Sequence, residues 1–195
     1  MSARGASPGA AGRNVHLREA RKPCILWLTG LPAAGKTTLA REISRRLETL
    51  GVRAFVLDGD DLRRGLNSDL GFSRAARDES VRRAGHAAKL ILDTGTIAVV
   101  ALISPFRNHR QRIRELAGPG RFVEIFVDAP LHVCERRDPK GLYASARAGD
   151  IQDFTGIDSP YEPPENPDIR LRSAEGPPGE LAGQVIRYLE KGEYI

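Results

Sequence analysis

The stretch Gly30-Leu31-Pro32-Ala33-Ala34-Gly35-Lys36-Thr37 decides how this chain is read. It fits G-x-x-x-x-G-K-[ST], a P-loop whose backbone N–H groups wrap a phosphate chain. Before it stands Cys24-Ile25-Leu26-Trp27-Leu28-Thr29, short, apolar and bounded by Pro23 and Gly30, the pattern of a parallel strand buried on both faces. After it, Leu39, Ile43, Leu47 and Leu50 recur at helical spacing and stop at Gly51. The loop therefore joins a strand end to a helix start, where unpaired N–H groups and the positive helix end face an anion. Gly30 and Gly35 allow a close wrap, Lys36 has the reach for β- and γ-phosphates, and the Thr37 hydroxyl suits Mg²⁺.

A chain of 195 residues holds one domain with a real core and is short for two. Its hydrophobic fraction of 41% is ordinary for a water-soluble fold. No apolar run nears the roughly 20 residues that span a bilayer, and no secretory h-region opens the chain. Cys24 and Cys134 fall in separate expected elements, so neither a disulfide framework nor a metal pair is indicated. The expectation is a cytoplasmic protein without a membrane partner. The net charge of +5 is unevenly spread: residues 1–23 carry +4 and the remainder +1. A nearly neutral folded part binds anions through local clusters, which argues against nucleic acid as a partner.

Residues 1–22 are rich in Ala, Gly, Ser and Arg without periodicity, and are expected to form a disordered basic tail. Their Arg-rich, acid-poor composition is also that of an organelle transit peptide. Residues 23–195 are expected to form a single domain. Ala54 to Asp58 reads as a second strand, followed by Gly59-Asp60-Asp61 and a short helix. Ligands of open α/β sheets lie beyond the carboxyl ends of strands. Asp58 and Asp60 thus face the same crevice as Lys36, ready to take a proton or to hold Mg²⁺ through water. Either Asp is also a helix cap, Asp60 the better candidate.

Ser73 is a plausible N-cap for a helix striped by Val81, Ala84, Ala88 and Ile91, with Arg77 near its start. Arg82 and Arg83 read as solvated charges. Thr96 to Ile103 is an apolar central strand that ends at Ser104-Pro105. Gln111 to Ala117 is helical, Phe122 to Val127 is a strand ending at Asp128, and Pro130 opens a helix carrying Arg137. Asp138 to Pro167 is long, polar and rich in Gly and Pro, the composition of a functional lid, bounded at about 136–162. Asp168 to Leu171 is a last strand and Leu181 to Leu189 a closing helix. The fold class is α/β: a parallel sheet of about five strands with helices on both faces.

Further blocks carry a family resemblance. They are Asp58-Gly59-Asp60 with Arg63-Arg64-Gly65-Leu66-Asn67, Leu70-Gly71-Phe72-Ser73 and Ile103-Ser104-Pro105-Phe106-Arg107. To these add Val127 through Leu131, Cys134 through Tyr143, and Phe154-Thr155-Gly156-Ile157-Asp158-Ser159-Pro160-Tyr161. From about residue 22 to the end the chain resembles adenylylsulfate kinases.

The resemblance implies a P-loop nucleotide-kinase fold, a homodimer, and Mg²⁺-dependent transfer of the γ-phosphate of ATP to the 3′-hydroxyl of adenylylsulfate. It implies ATP contacts at Gly30 through Thr38, including Leu31, Pro32, Ala33, Ala34, Lys36 and Thr37. Asp60 matches the carboxylate that receives the hydroxyl proton. Arg63 and Arg77 match the arginines on the phosphosulfate, and Phe72 and Phe154 the two rings around adenine. Ile103, Lys140 and Leu142 match further substrate contacts. Ser104 matches a serine cast as a phosphorylated intermediate, which direct in-line transfer makes unnecessary. Arg137 is a lid arginine able to neutralise phosphate charge. Two departures stand out: Ser80 where relatives commonly carry Asn beside the substrate, and Ala34 where a serine is frequent. A hydroxyl in place of an amide leaves a substrate hydrogen bond lost or carried by water.

Overall fold

The computed structural model describes residues 17–195. The strands are β1 (Ile25–Thr29), β2 (Ala54–Asp58), β3 (Ile97–Ala101), β4 (Phe122–Asp128) and β5 (Ile169–Arg172). They pair in parallel in the order β2-β3-β1-β4-β5. The helices are α1 (Lys36–Thr49), α2 (Gly59–Arg64), α3 (Arg74–Asp93), α4 (Arg107–Ala117), α5 (Leu131–Arg137), α6 (Leu142–Ala148) and α7 (Pro178–Lys191).

The central strands β1 and β3 are buried on both faces, which is why they read as continuous apolar runs, whereas the edge strand β5 alternates buried and exposed residues. Along β1 the side chains alternate. Leu26 and Leu28 join Leu39, Ile43 and Leu47 of α1 and Leu181, Val185 and Leu189 of α7. Ile25 and Trp27 join Val81, Ala84, Ala88 and Leu92 of α3 and Ile113 of α4. From β1 the chain crosses to β2 on one side, and from β3 it crosses to β4 on the other. The strand order reverses at β1, and the P-loop leaves that strand at the crevice this reversal opens. At Gly30 a Cβ would stand 2.4 Å from the Val127 carbonyl oxygen of β4, so only glycine lets the chain turn here.

Several boundaries move from those expected. β3 stops at Ala101, where its register with Leu28 and Asp58 ends. Beyond it Ser104 adopts a left-handed φ of 40°, and the buried Arg110 guanidinium takes its carbonyl at 2.7 Å while pairing with Glu124 at 2.6 Å. α4 begins at Arg107, not Gln111, because the Arg107 N–H is capped from a distance by Glu162. Asp58, and not Asp60, caps α2: its Oδ1 accepts the Asp60 N–H at 2.9 Å, and Asp60 lies inside the first turn. Ser73 caps α3 as expected, accepting the Ala76 N–H.

Within the lid, 138–167 is not all loop. Asp138 accepts the N–H groups of Tyr143 and Ala144 at 3.0 and 3.1 Å and starts α6. Arg83, expected to be a solvated charge, ties Glu79 of its own helix to Asp69 and to the Leu66 carbonyl.

Residues 17–22, expected to belong to the tail, run against the domain. Arg18 bridges Val52, Ala20 is buried, and Lys22 pairs with Glu193. The remainder of the expected tail, with the transit-peptide alternative, lies outside the described residues. Both cysteines are buried and free. No helix among the described residues is long and apolar enough to cross a membrane.

Where α3 crosses α4, Gly85 leaves no room for a side chain: a Cβ would meet Ile113 Cδ1 at 2.3 Å. Glycine to alanine inside a helix ordinarily gains about 0.5–1 kcal/mol. Here Gly85→Ala is expected to lose about 1–3 kcal/mol through overpacking. Ile113→Val, which removes Cδ1, should recover part of that loss in the double variant. Urea unfolding of the four proteins checks the sign, and a stabilised Gly85→Ala would refute the close crossing.

Candidate active site

One cavity of about 770 Å³ opens at the carboxyl ends of β1, β2 and β3. Pro32 through Thr38 line it on one side, with Arg137, Ser173 and Pro178 nearby in its wall. Asp60, Arg63, Phe72, Arg77, Ser80, Ile103, Lys140, Leu142 and Phe154 line the rest. The residues singled out in the sequence are therefore brought together, and Lys36 and Asp60 share one space. Gly30 and Leu31 contribute through their backbone. The Lys36 ammonium donates to their carbonyls at 2.9 and 2.7 Å. Burial pulls Lys36 down to about 8, against the opposing pull of Cys134, Asp58 and Asp60.

Thr37 and Asp60 are linked through Asp58. The Thr37 hydroxyl donates to Asp58 Oδ2 at 2.6 Å, while Asp58 Oδ1 holds the Asp60 amide. Asp58 is buried, so both contacts form in a poorly hydrated place. Asp60 forms an ion pair through Oδ2 with Lys140 of the lid. Lys140, expected from the resemblance as a substrate contact, is set by the fold on the candidate base.

Arg63 lies 4.5 Å above the Phe72 ring, a cation–π stack. Burial lowers the Arg63 and Arg77 guanidinium pKa values from their ordinary range, with Asp60 and Asp153 respectively opposing. Phe72 is 53% exposed, whereas Phe154 is only 8% exposed. Arg77 reaches across to the lid, donating to the Asp153 carbonyl, to Thr155 Oγ1 and to Ser159 Oγ.

Ser104 lines the cavity, but its hydroxyl is committed. It accepts the Trp27 indole N–H at 3.0 Å and donates to Thr29 Oγ1 at 3.1 Å. Ser80 accepts a hydrogen bond from Asn67 Nδ2 at 3.0 Å, so a carboxamide still stands beside the departing position. Arg137 is tied to the P-loop, donating to the Ala34 carbonyl at 3.4 Å and to the Ser173 carbonyl at 2.6 Å.

Three contributors escaped the sequence reading. Ser173 donates to the Ala34 carbonyl at 2.7 Å. Arg110 fixes the Ser104 turn. Tyr143 donates to the Pro32 carbonyl at 3.0 Å. Ser173 and Tyr143 act on backbone carbonyls more than a hundred residues away, which no local pattern encodes, and Arg110 reaches back six residues to a turn of irregular backbone. Among the described residues no group of three His, Cys, Asp or Glu side chains is placed to hold a metal by itself. Thr37 Oγ1 and the Asp58 carboxylate are hard oxygen donors at the P-loop, and such a pair fits an ion that arrives with phosphate and keeps most of its water.

Comparison with known proteins agrees with this geometry. The family model described as "Adenylylsulphate kinase" matches residues 22–172. The chain is 51% identical to an adenylyl-sulfate kinase of Aeromonas salmonicida, over 90% of this chain and 89% of that protein. Its fold is similar to that of the Mycobacterium tuberculosis APS kinase CysC in complex with AMPPNP and APS, with a TM-score of 0.84 and 50% identity. That match covers 87% of this chain and 98% of the other. A hexameric APS kinase from Thiobacillus denitrificans aligns with 34% identity and a TM-score of 0.69, covering 90% of this chain and 30% of the other. The chain belongs to the adenylylsulfate kinase family.

Proposed function

We propose that this protein transfers the γ-phosphate of ATP to the 3′-hydroxyl of adenylylsulfate, giving 3′-phosphoadenylylsulfate. The observation that carries the reading is the single cavity shared by Lys36, Thr37 and Asp60, with Arg63, Arg77, Phe72 and Phe154 in its wall. Phosphoryl transfer asks a protein mainly to position two oxygens in line and to neutralise charge.

The P-loop amides at the start of α1 bind the donor phosphates, and Lys36 exchanges its two carbonyl partners for phosphate oxygens. Arg137, held at the Ala34 carbonyl, adds positive charge on the donor side. Thr37 and Asp58 would hold Mg²⁺, which supplies charge neutralisation between phosphate groups. Asp60 accepts the proton of the attacking hydroxyl, and its ion pair with Lys140 of the lid fixes where the carboxylate points. Arg63 and Arg77 meet the anionic phosphosulfate, and the Phe72 and Phe154 rings take the flat purine. Ser104 holds the turn at the end of β3, since both of its hydroxyl contacts are internal. The reading includes a homodimer in solution, which sedimentation of the pure protein tests.

Pure protein given ATP, Mg²⁺ and adenylylsulfate is expected to form the 3′-phosphorylated product, with Lys36→Ala inactive. Offering other nucleotides and small alcohols in competition tests the acceptor, and preference for one of them would overturn the assignment.

Asp60→Asn should lower kcat by about 10²-fold or more while nucleotide affinity is kept. Turnover near that of the unaltered protein would move the base elsewhere.

Nucleotide binding should take up a proton at Lys36. The free ammonium titrates near 8, and bound phosphate raises that value. Affinity is therefore independent of this group below pH 8 and falls as pH rises above it. Calorimetry at pH 8.5 in buffers of different ionisation enthalpy should show net uptake that Lys36→Met abolishes. Equal uptake in that variant would contradict the role.

A further inference from the structure

Tyr143 sits at the start of α6, 2% exposed, between two parts of the site that belong to different substrates. Its hydroxyl donates to the Pro32 carbonyl of the P-loop. The edge of its ring system meets Phe154, with centroids 5.0 Å apart and planes at 78°. Burial raises the pKa of its phenol, so the group stays protonated and remains a donor. Its backbone is fixed separately, by Asp138.

A second contact joins the same two parts. The lid segment 153–159 returns past the P-loop at Gly156, where a Cβ would stand 3.0 Å from Leu31 Cδ2. Arg77 grips the segment's other side at Thr155 and Asp153. Phe154 lies between these attachments.

The P-loop has a reason to move at this point. Lys36 Nζ holds the carbonyls of Gly30 and Leu31, next to Pro32, and Ala33 follows with a left-handed φ of 57°. Phosphate binding takes the ammonium away from both carbonyls. A residue bonded to the Pro32 carbonyl then registers whether the donor site is filled.

We propose that Tyr143 is a positioning residue that couples donor and acceptor sites: it carries the state of the P-loop at Pro32 to Phe154, and so sets the affinity for the acceptor nucleotide by whether ATP is bound. This rests on the kinase reading above, with Phe154 on the acceptor. Coupling of this kind is reciprocal, so each ligand changes the other's affinity by one common factor.

The test is calorimetric titration of the full chain with adenylylsulfate, alone and with saturating non-hydrolysable ATP analogue and Mg²⁺, and then in the reverse order. The expected result for the unaltered protein is an affinity change of about 5-fold or more, the same in both orders. Tyr143→Phe keeps the ring against Phe154 and removes only the hydroxyl. It should bring that factor to within 2-fold of unity while each ligand alone binds within about 3-fold of its normal affinity. A merely structural tyrosine would instead weaken both ligands, or lower the melting temperature, and leave the factor unchanged. An unchanged factor in Tyr143→Phe, or no coupling in the unaltered protein, overturns the proposal. Failure of the unaltered protein to bind adenylylsulfate at all overturns the kinase reading, and the coupling proposal with it; intact binding with an unchanged factor overturns the coupling alone.

Discussion

The carboxylate of Asp58 joins the two halves of the chemistry. One oxygen takes the Thr37 hydroxyl and the other takes the Asp60 amide. The first partner belongs to the phosphate-binding loop, and the second begins the helix that carries the candidate base. Both bonds form at a buried group, where an unpaired carboxylate oxygen is costly, so neither partner drifts independently. The sheet supplies the rest: β1 and β2 are separated only by β3, so the ends of the two strands open on the same crevice.

Around this link the protein holds its loops from behind. Trp27, Thr29 and Arg110 fix the turn after β3 through Ser104. Arg137 and Ser173 fix the P-loop through the Ala34 carbonyl, and Tyr143 through the Pro32 carbonyl. The bonds from Arg137, Ser173 and Tyr143 fall on P-loop carbonyls, so none of them uses an N–H that an anion could take. A site built this way is preorganised, and Arg137 brings its charge to the donor side already held in place.

The layers of the fold were legible because burial on both faces writes itself into a strand as an unbroken apolar run. Ile97 to Ala101 and Ile25 to Thr29 are of this kind. The phosphate loop was legible because its backbone geometry restricts residue type. Less local features were not. The cap on α2 fell to Asp58 because the helix begins at Gly59, a shift of two residues that composition does not resolve. α6 has seven residues, too few for periodicity to register, and depends on a carboxylate four residues earlier. Arg77 was expected as an anion ligand only through the family resemblance, and its grip on Thr155 and Asp153 spans more than seventy residues of chain. Family resemblance supplied the roles of Phe72, Lys140 and Phe154, since no local pattern assigns a single ring or ammonium to a site.

In the proposed reaction ATP's last phosphate and the acceptor hydroxyl meet in one cavity, flanked by Lys36 and Asp60. A crystal structure with a non-hydrolysable ATP analogue and adenylylsulfate bound together tests it most directly. The acceptor 3′-hydroxyl is expected within hydrogen-bond reach of Asp60, roughly 2.6–3.2 Å, with Lys36 on phosphate oxygens at the far side of the same phosphorus. Two nucleotides seated in separate cavities, or Asp60 turned away from the hydroxyl with both substrates in place, would contradict it.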